Sequence, residues 1–547
     1  MKKNKVTGLS IAVVDDKGVI WADGFGYADK EKNIKATADT IYRAASLSKL
    51  FTATAVMQLA EQNRIDIDEP LNTYLPDFSI KSRFPDKSQI TPRNLMSHHS
   101  GLPYNYYKGI FSKRPESFTG LLAKIKNEYL AYPPDSVYSY SNLGITILGA
   151  MIERISGNTF SKHMDESILH PLGMNNSSFI RKEEMHVAKG YKEGRRTEDF
   201  EARDLPASGL LSSAMDIGKF MQMFLAKGRW GAVQLLKPET ISEMLRPQNT
   251  DVALDNDIYV GLGWALDGMG DLKIEGAGPV AHHGGALPFF NSQLLMLPEE
   301  RIGVVVLTNS STRPAVDKVA AEALALTLEA RTGIKRKRNA PVYEQRKSVS
   351  REEMEAYAGY YATQIGLLKT YPESDSLKVD IFGHPINLIP REDGRLRLQY
   401  KLLELIPISL GEILDRVGIG RTQVGNRDLL TTRSQYLDMV FGEKITPSAI
   451  PEPWLRRIGS YEITNADDDV LFFDDVRLLV RDGFLVVEYF APLIGDERIG
   501  FPVSAVSENE AVILGIGNGM RETIRTYNDN GEEYLQYSGY RFRKRTE

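Results

Sequence analysis

Strand-like segments stand at the two ends of the first 335 residues with helical segments between them, and this placement constrains the fold more than any other feature. "LSIAVVDDKGVIWADGFGYAD", Leu9 to Asp29, alternates apolar residues around a glycine turn and reads as a hairpin. Strands return only in "NSQLLMLPEE" and "RIGVVVLTNS", Asn291 to Ser310. Between them "PDSVYSYSNLGITILGAMIERISG" carries apolar residues at helical spacing and stops on Gly157. A helical "VDKVAAEALALTLEART" follows the last strand. Segments so far apart can share a core only in one sheet assembled from both ends. The fold class is therefore α+β, an antiparallel sheet covered by helices with a helical region inserted.

The remaining chain has another texture. "GIKRKRNAPVYEQRKS" is basic, polar and broken by Pro341, which marks a linker over 336–350. Beyond it lie short alternating runs punctuated by Gly, Asp and Asn, as in all-β structure. "EEMEAYAGYY" and "PWLRRIGSYE" place Gly359 and Tyr361 in the same local pattern as Gly459 and Tyr461. Such a repeat predicts two β modules, over 351–450 and 451–547, after a first domain over 1–335.

Composition excludes several chemistries. Among 547 residues there is no cysteine, so disulfides, thiolate metal sites and cysteine nucleophiles are ruled out. A formal net charge of −5 without a basic stripe gives nucleic acid no surface to bind. No apolar run has bilayer-spanning length. The basic start "MKKNKVTGLSIAVVDDKG" runs into Asp15 and Asp16 rather than a signal-peptide core, so a cytoplasmic location is expected. No metal-ligand spacing such as HExxH occurs, and neither metal nor cofactor is expected.

The chemistry-bearing residues open with "AASLSKLFTATAVMQLAEQNRI", a helix that begins on Ser46, Ser48 and Lys49. Ser46 and Lys49 project from one helical face. A desolvated lysine with a lowered pKa can take the serine proton, and the helix start offers free N–H groups to an oxyanion. "YSN" supplies Tyr140, a potential proton shuttle, and Asn142, an amide able to hold a carbonyl. "AHHGGALPFF" supplies His283, a donor, before glycines that let a substrate approach the strand edge.

SxxK, YxN and [KH]-x-G in this order resemble the penicillin-recognising serine hydrolases: class C β-lactamases, DD-peptidases, D-aminopeptidases and related esterases. "LMSHHSGLP", "HPLGMNNSSF", "PASGLLSSAMDIGKFM" and "YVGLGW" extend the resemblance over residues 8 to 335. It implies a β-lactamase-like sheet and acyl transfer. Ser46 would attack a carbonyl, Lys49 and Tyr140 would manage the proton, and Asn142 would orient the substrate. The N–H groups of Ser46 and Ala286 would form the oxyanion hole, with Gly285 beside them. His283, rather than His282, would fill the third motif by its distance to the "PEE" turn.

Histidine in place of lysine belongs to the peptidase and esterase branches and argues against a dedicated β-lactamase. The chain also enters its first strand without the family's preceding helix. A catalytic domain followed by two small lipocalin-like barrels resembles the D-aminopeptidase architecture, in which a barrel loop reaches the active site; "GIGNGM" is the candidate here. The expected function is a peptidase or amidase on short peptides, possibly containing D-residues, with a homo-oligomer as an option. An esterase or weak β-lactamase with the same machinery is the runner-up. A non-catalytic penicillin-binding-type sensor is the reading from another class.

Overall fold

The computed structural model describes residues 1–546 apart from 86–87, 268–271, 337–347, 349, 382, 403–405, 409–416, 434–436 and 492–497. The expected linker lies almost wholly outside the described residues. Two strands from the start of the chain, β1 (Gly8–Asp15) and β2 (Val19–Asp29), form the predicted hairpin. Three from its other end, β3 (Ala281–Leu287), β4 (Phe290–Leu297) and β5 (Ile302–Thr308), complete the centre of one sheet. Their order is β3-β4-β5-β1-β2, every pairing is antiparallel, and short strands extend both edges to eight. Leu9 opposite Thr308 and Asp15 opposite Ile302 join segments some 300 residues apart.

Both faces of this sheet are covered, so its central strands read as nearly continuous apolar runs. Leu9, Ile11, Val13, Val304 and Val306 pack with Val316, Leu324 and Leu328 of the last helix of this region, Arg313–Thr332. Ala12, Val14, Val305 and Leu307 turn the other way, into the core of the helical region. The period of two along each strand thus assigns alternate residues to two cores.

Three helices matter for the site. α1 (Ser48–Glu61) is buried on nearly all sides, as expected of a helix that is apolar or small apart from Lys49, Gln58 and Glu61. Phe51 stacks on Phe220 at 4.0 Å. α2 (Asn142–Ser156) starts under a Ser141 cap that accepts from the Gly144 N–H and ends at Gly157, in the left-handed conformation at φ 75°. The third, α3 (Arg313–Thr332), covers the sheet as described.

After the linker the chain forms two eight-stranded antiparallel barrels. The first runs from Gly359–Thr363 to Asp438–Ile445 and closes where His384–Pro390 pairs with Leu396–Leu402. The second runs from Gly459–Ile463 to Tyr540–Lys544 and closes by pairing these end strands. The predicted repeat has one physical basis in both. Gly359 (φ 141°) and Gly459 (φ 151°) lie where a Cβ would meet Cε of Lys444 or Lys544 at 2.7 and 2.6 Å. Tyr361 and Tyr461 then each donate to a carbonyl four residues back, Tyr357 O at 2.8 Å and Arg457 O at 2.5 Å.

Candidate active site

Ser46 differs from the expected helix position in one respect. It sits in a 3₁₀ turn, Ala45–Leu47, immediately before α1, so the helix proper begins at Ser48. Ala45 just before it takes the left-handed conformation, φ 54°, which costs an L-residue on the order of 1–3 kcal/mol and is held by its burial. The two serines of the motif are in different circumstances. Ser48 is fully buried, donates to Ala45 O at 2.6 Å and accepts from the Leu210 N–H at 2.9 Å. Ser46 is half-buried, and its hydroxyl is a hydrogen-bonding neighbour of the Tyr140 phenol.

Lys49 is entirely buried, with Nζ 4.9 Å from the centre of the Tyr140 ring and donating to Ala207 O at 2.8 Å. That carbonyl is delivered by Gly149 of α2. A Cβ there would stand 2.0 Å from Pro206 Cγ, so only glycine lets the Pro206–Ala207 segment lie so close. Burial holds the Lys49 pKa well below the ordinary lysine value, with Asp204 opposing weakly. The same burial holds the Tyr140 phenol well above the ordinary tyrosine value, the Ser46 hydrogen bond opposing. Charge separation between the two would desolvate both an ammonium and a phenolate. Burial thus works against the charged form of each, the ammonium and the phenolate alike, which suits Lys49 to act as a base and Tyr140 as an acid.

The third motif approaches from the sheet. β3 pairs with the short strand Ala265–Leu266 only through Ala281 and His282, so among the described residues its edge is free from His283 onward. Gly285 faces the Ser46 turn so closely that a Cβ would lie 2.6 Å from Ala44 O and 3.0 Å from Ala45 Cβ. By alternation His283 shares that face, its ring centre 6.2 Å from that of Tyr140, while Gly284 faces the Arg313 guanidinium. Burial and then the nearby Lys49 lower His283 to about 3, so it is a neutral donor or acceptor. Ala286 is exposed at the edge, opposite Asn291. Asn142 opens α2; its Nδ2 donates to Asn105 Oδ1 at 2.9 Å.

Ser46, Lys49, Tyr140, His283 and Gly285 thus come together from α1, β3 and the turns before the helices, while the Asn142 amide is held by Asn105 and Ala286 stands exposed at the strand edge. The site also contains residues that motif spacing does not assign. His98, from the left-handed turn of "SHHSG", packs its ring 4.3 Å from Tyr140 and accepts the Ser141 N–H on Nδ1 at 3.1 Å. The adjacent histidines were its only sequence signal. Asn518, in the "GIGNGM" loop of the second barrel, accepts the Tyr140 N–H at 2.8 Å. Among the described residues no cluster of three or more His, Asp or Glu is placed to hold a metal, and no helix is long and apolar enough to cross a membrane.

An antiparallel sheet between two helical layers, with a serine turn, a buried lysine and a tyrosine beneath a free strand edge, defines the class as the β-lactamase-fold serine hydrolases. The family described as Beta-lactamase matches residues 1–329, and the chain belongs to it. It is similar to Protein flp of Staphylococcus aureus strain N315, 25% identical over 321 residues that make up 56% of this chain and 61% of that protein. Beta-lactamase-like protein 2 of Dictyostelium discoideum is 28% identical over 271 residues, 47% of this chain and 48% of the relative. The match thus spans less than two thirds of either relative.

Two solved structures resemble the chain over most of its length. The octameric penicillin-binding protein homologue from Pyrococcus abyssi aligns with a TM-score of 0.52 at 23% identity, over 91% of this chain and 97% of that one. SurE, in a crystal structure with D-Leu, aligns with a TM-score of 0.55 at 20% identity, over 81% and 96%.

Proposed function

We propose that the chain hydrolyses short peptides or amides, including those with D-residues, through an acyl-enzyme at Ser46. The observation that carries this reading is the fully buried Lys49, its Nζ 4.9 Å from the Tyr140 ring centre, set with Tyr140 against a half-exposed Ser46 hydroxyl. In the acylation step the Ser46 oxygen bonds to the substrate carbonyl carbon while its proton passes to Lys49, directly or through Tyr140. The tetrahedral oxyanion takes hydrogen bonds from the Ser46 and Ala286 N–H groups. Collapse breaks the amide bond as the Tyr140 side returns a proton to the leaving nitrogen. Water then enters by the reverse proton path and releases the acid.

The D-residue preference is supported by the shared fold with SurE, whose crystal structure holds D-Leu, and histidine in the third motif favours a peptidase or esterase over a β-lactamase. The octameric Pyrococcus abyssi homologue supports a homo-oligomer. Matched D- and L-alanyl p-nitroanilides and the D-alanyl p-nitrophenyl ester test the reading. Anilide turnover with D above L is expected. Ester turnover without anilide turnover would identify an esterase, and no turnover or serine labelling would identify a sensor.

A further inference from the structure

The second barrel is not filled by its own side chains. A cavity of about 320 Å³ lies inside it, lined by inward residues of its strands such as Leu478, Phe501, Ile524 and Leu535. An eight-stranded barrel is just wide enough either to pack its interior or to hold one small ligand. For scale, a dry apolar cavity of about 150 Å³ binds benzene. Twice that space suits a chain or ring system of about eight to twelve carbons, and it lies at the small end of ligand sites generally. Phe473, Tyr489 and Tyr537 line the same cavity with aromatic faces.

Its lining runs out of the barrel to the candidate active site. Tyr104 and Asn518 both border the cavity. Tyr104 stands 6.0 Å from the Tyr140 ring, centre to centre, and Asn518 holds the Tyr140 N–H. Among the described residues Arg477 is the one charged residue of the lining, but its strand neighbours Val476 and Leu478 are the inward ones, and its own side chain is 43% exposed and paired with Asp475 at 3.1 Å on the outer face.

We propose that the interior of the second barrel is a binding site for an apolar tail, an acyl chain or aromatic group of about eight to twelve carbons, seated beside the wall that carries Tyr140. The tail displaces water from the aromatic lining. Such a tail could belong to the substrate or to a separate molecule, and the two are separable by experiment.

Decanoate titrated calorimetrically into the full-length Ser46→Ala chain should bind saturably, one per chain, with a Kd of roughly 10–100 µM. This readout needs no chemistry at Ser46, so it stands or falls apart from the acyl-enzyme reading. A decanoate bearing a diazirine, irradiated with the unaltered chain, should label peptides from Asp474–Arg481, Arg498–Ala505 or Glu532–Tyr537. Leu535→Trp should weaken decanoate at least tenfold. If the tail is the substrate's own, kcat/KM for p-nitrophenyl esters should climb from acetate to decanoate and free decanoate should compete. If it is a separate ligand, the series should be flat while decanoate changes acetate turnover without competing. Absence of saturable binding, an unaltered Kd in a folded Leu535→Trp, or labels confined to the catalytic region would each overturn the proposal.

Discussion

Lys49 is an amine without water around it, and the fold bears that cost for the sake of a base. Its folded pKa lies well below the 10.5 of an exposed lysine. Between those values the unfolded chain holds a proton that the folded chain does not, so stability rises with pH through that window. Lys49→Met should therefore raise Tm at pH 7 by roughly 2 °C or more, and the gain should shrink towards pH 10.5. The same variant should lose on the order of 10³-fold in kcat, within the usual range for a positioned proton acceptor. Thermal scans across pH beside steady-state rates check both; a Met variant less stable than the parent at pH 7 would contradict the lowered pKa of Lys49. Tyr140→Phe should lose activity comparably, and the double variant little more, because one proton path serves both.

Helices and strands show where the sequence was legible. The hairpin, the late strands, the helix ending at Gly157 and the paired Gly–Tyr modules follow from short-range patterns, and each stands where those patterns place it. The 3₁₀ turn at Ser46 does not, because Ala45 is held left-handed by packing from β3, some 240 residues away. His98 escaped assignment for the same reason: its role comes from a tertiary stack on Tyr140. The "GIGNGM" loop lies between. Only the resemblance to D-aminopeptidases pointed to it, and Gly517 passes where a Cβ would lie 2.3 Å from Gln364 Nε2 of the first barrel. The hydrogen bond from Tyr140 to Asn518 could only be seen in three dimensions. Asn518→Ala should lower kcat/KM about tenfold, the value of one hydrogen bond of ~1 kcal/mol or a little more, with Tm nearly unchanged. Full activity in that variant would mean the loop does not position Tyr140.

At the scale of the whole molecule the second barrel is fastened to the helical region rather than tethered to it. Arg83 pairs with Glu510 at 2.8 Å, Lys108 with Asp469 at 2.9 Å, and Arg525 with Glu128. Tyr132 and Val137 share a core with Leu478, Phe501 and Leu535. Within this interface Glu522 accepts the Tyr104 N–H at 2.8 Å and the Tyr537 hydroxyl at 2.6 Å, and burial raises its pKa from 4.5 to about 7, with Glu128 adding to the rise. A carboxyl raised on folding supports the native state fully below pH 4.5 and loses that support as pH climbs through 7. Tm should thus fall between pH 5 and 8 by more in the parent than in Glu522→Gln, a difference of roughly 2–3 kcal/mol; parallel curves would place the proton elsewhere. Neither the interface nor its buried acid was legible in the sequence, since the contacting residues lie some 400 positions apart. All of this architecture is argued to serve one hydroxyl, and the mass of the intact chain after reaction with a fluorophosphonate tests that most directly. A single adduct on the parent and on Ser48→Ala, absent from Ser46→Ala, is the predicted result; an adduct that persists in Ser46→Ala would contradict it.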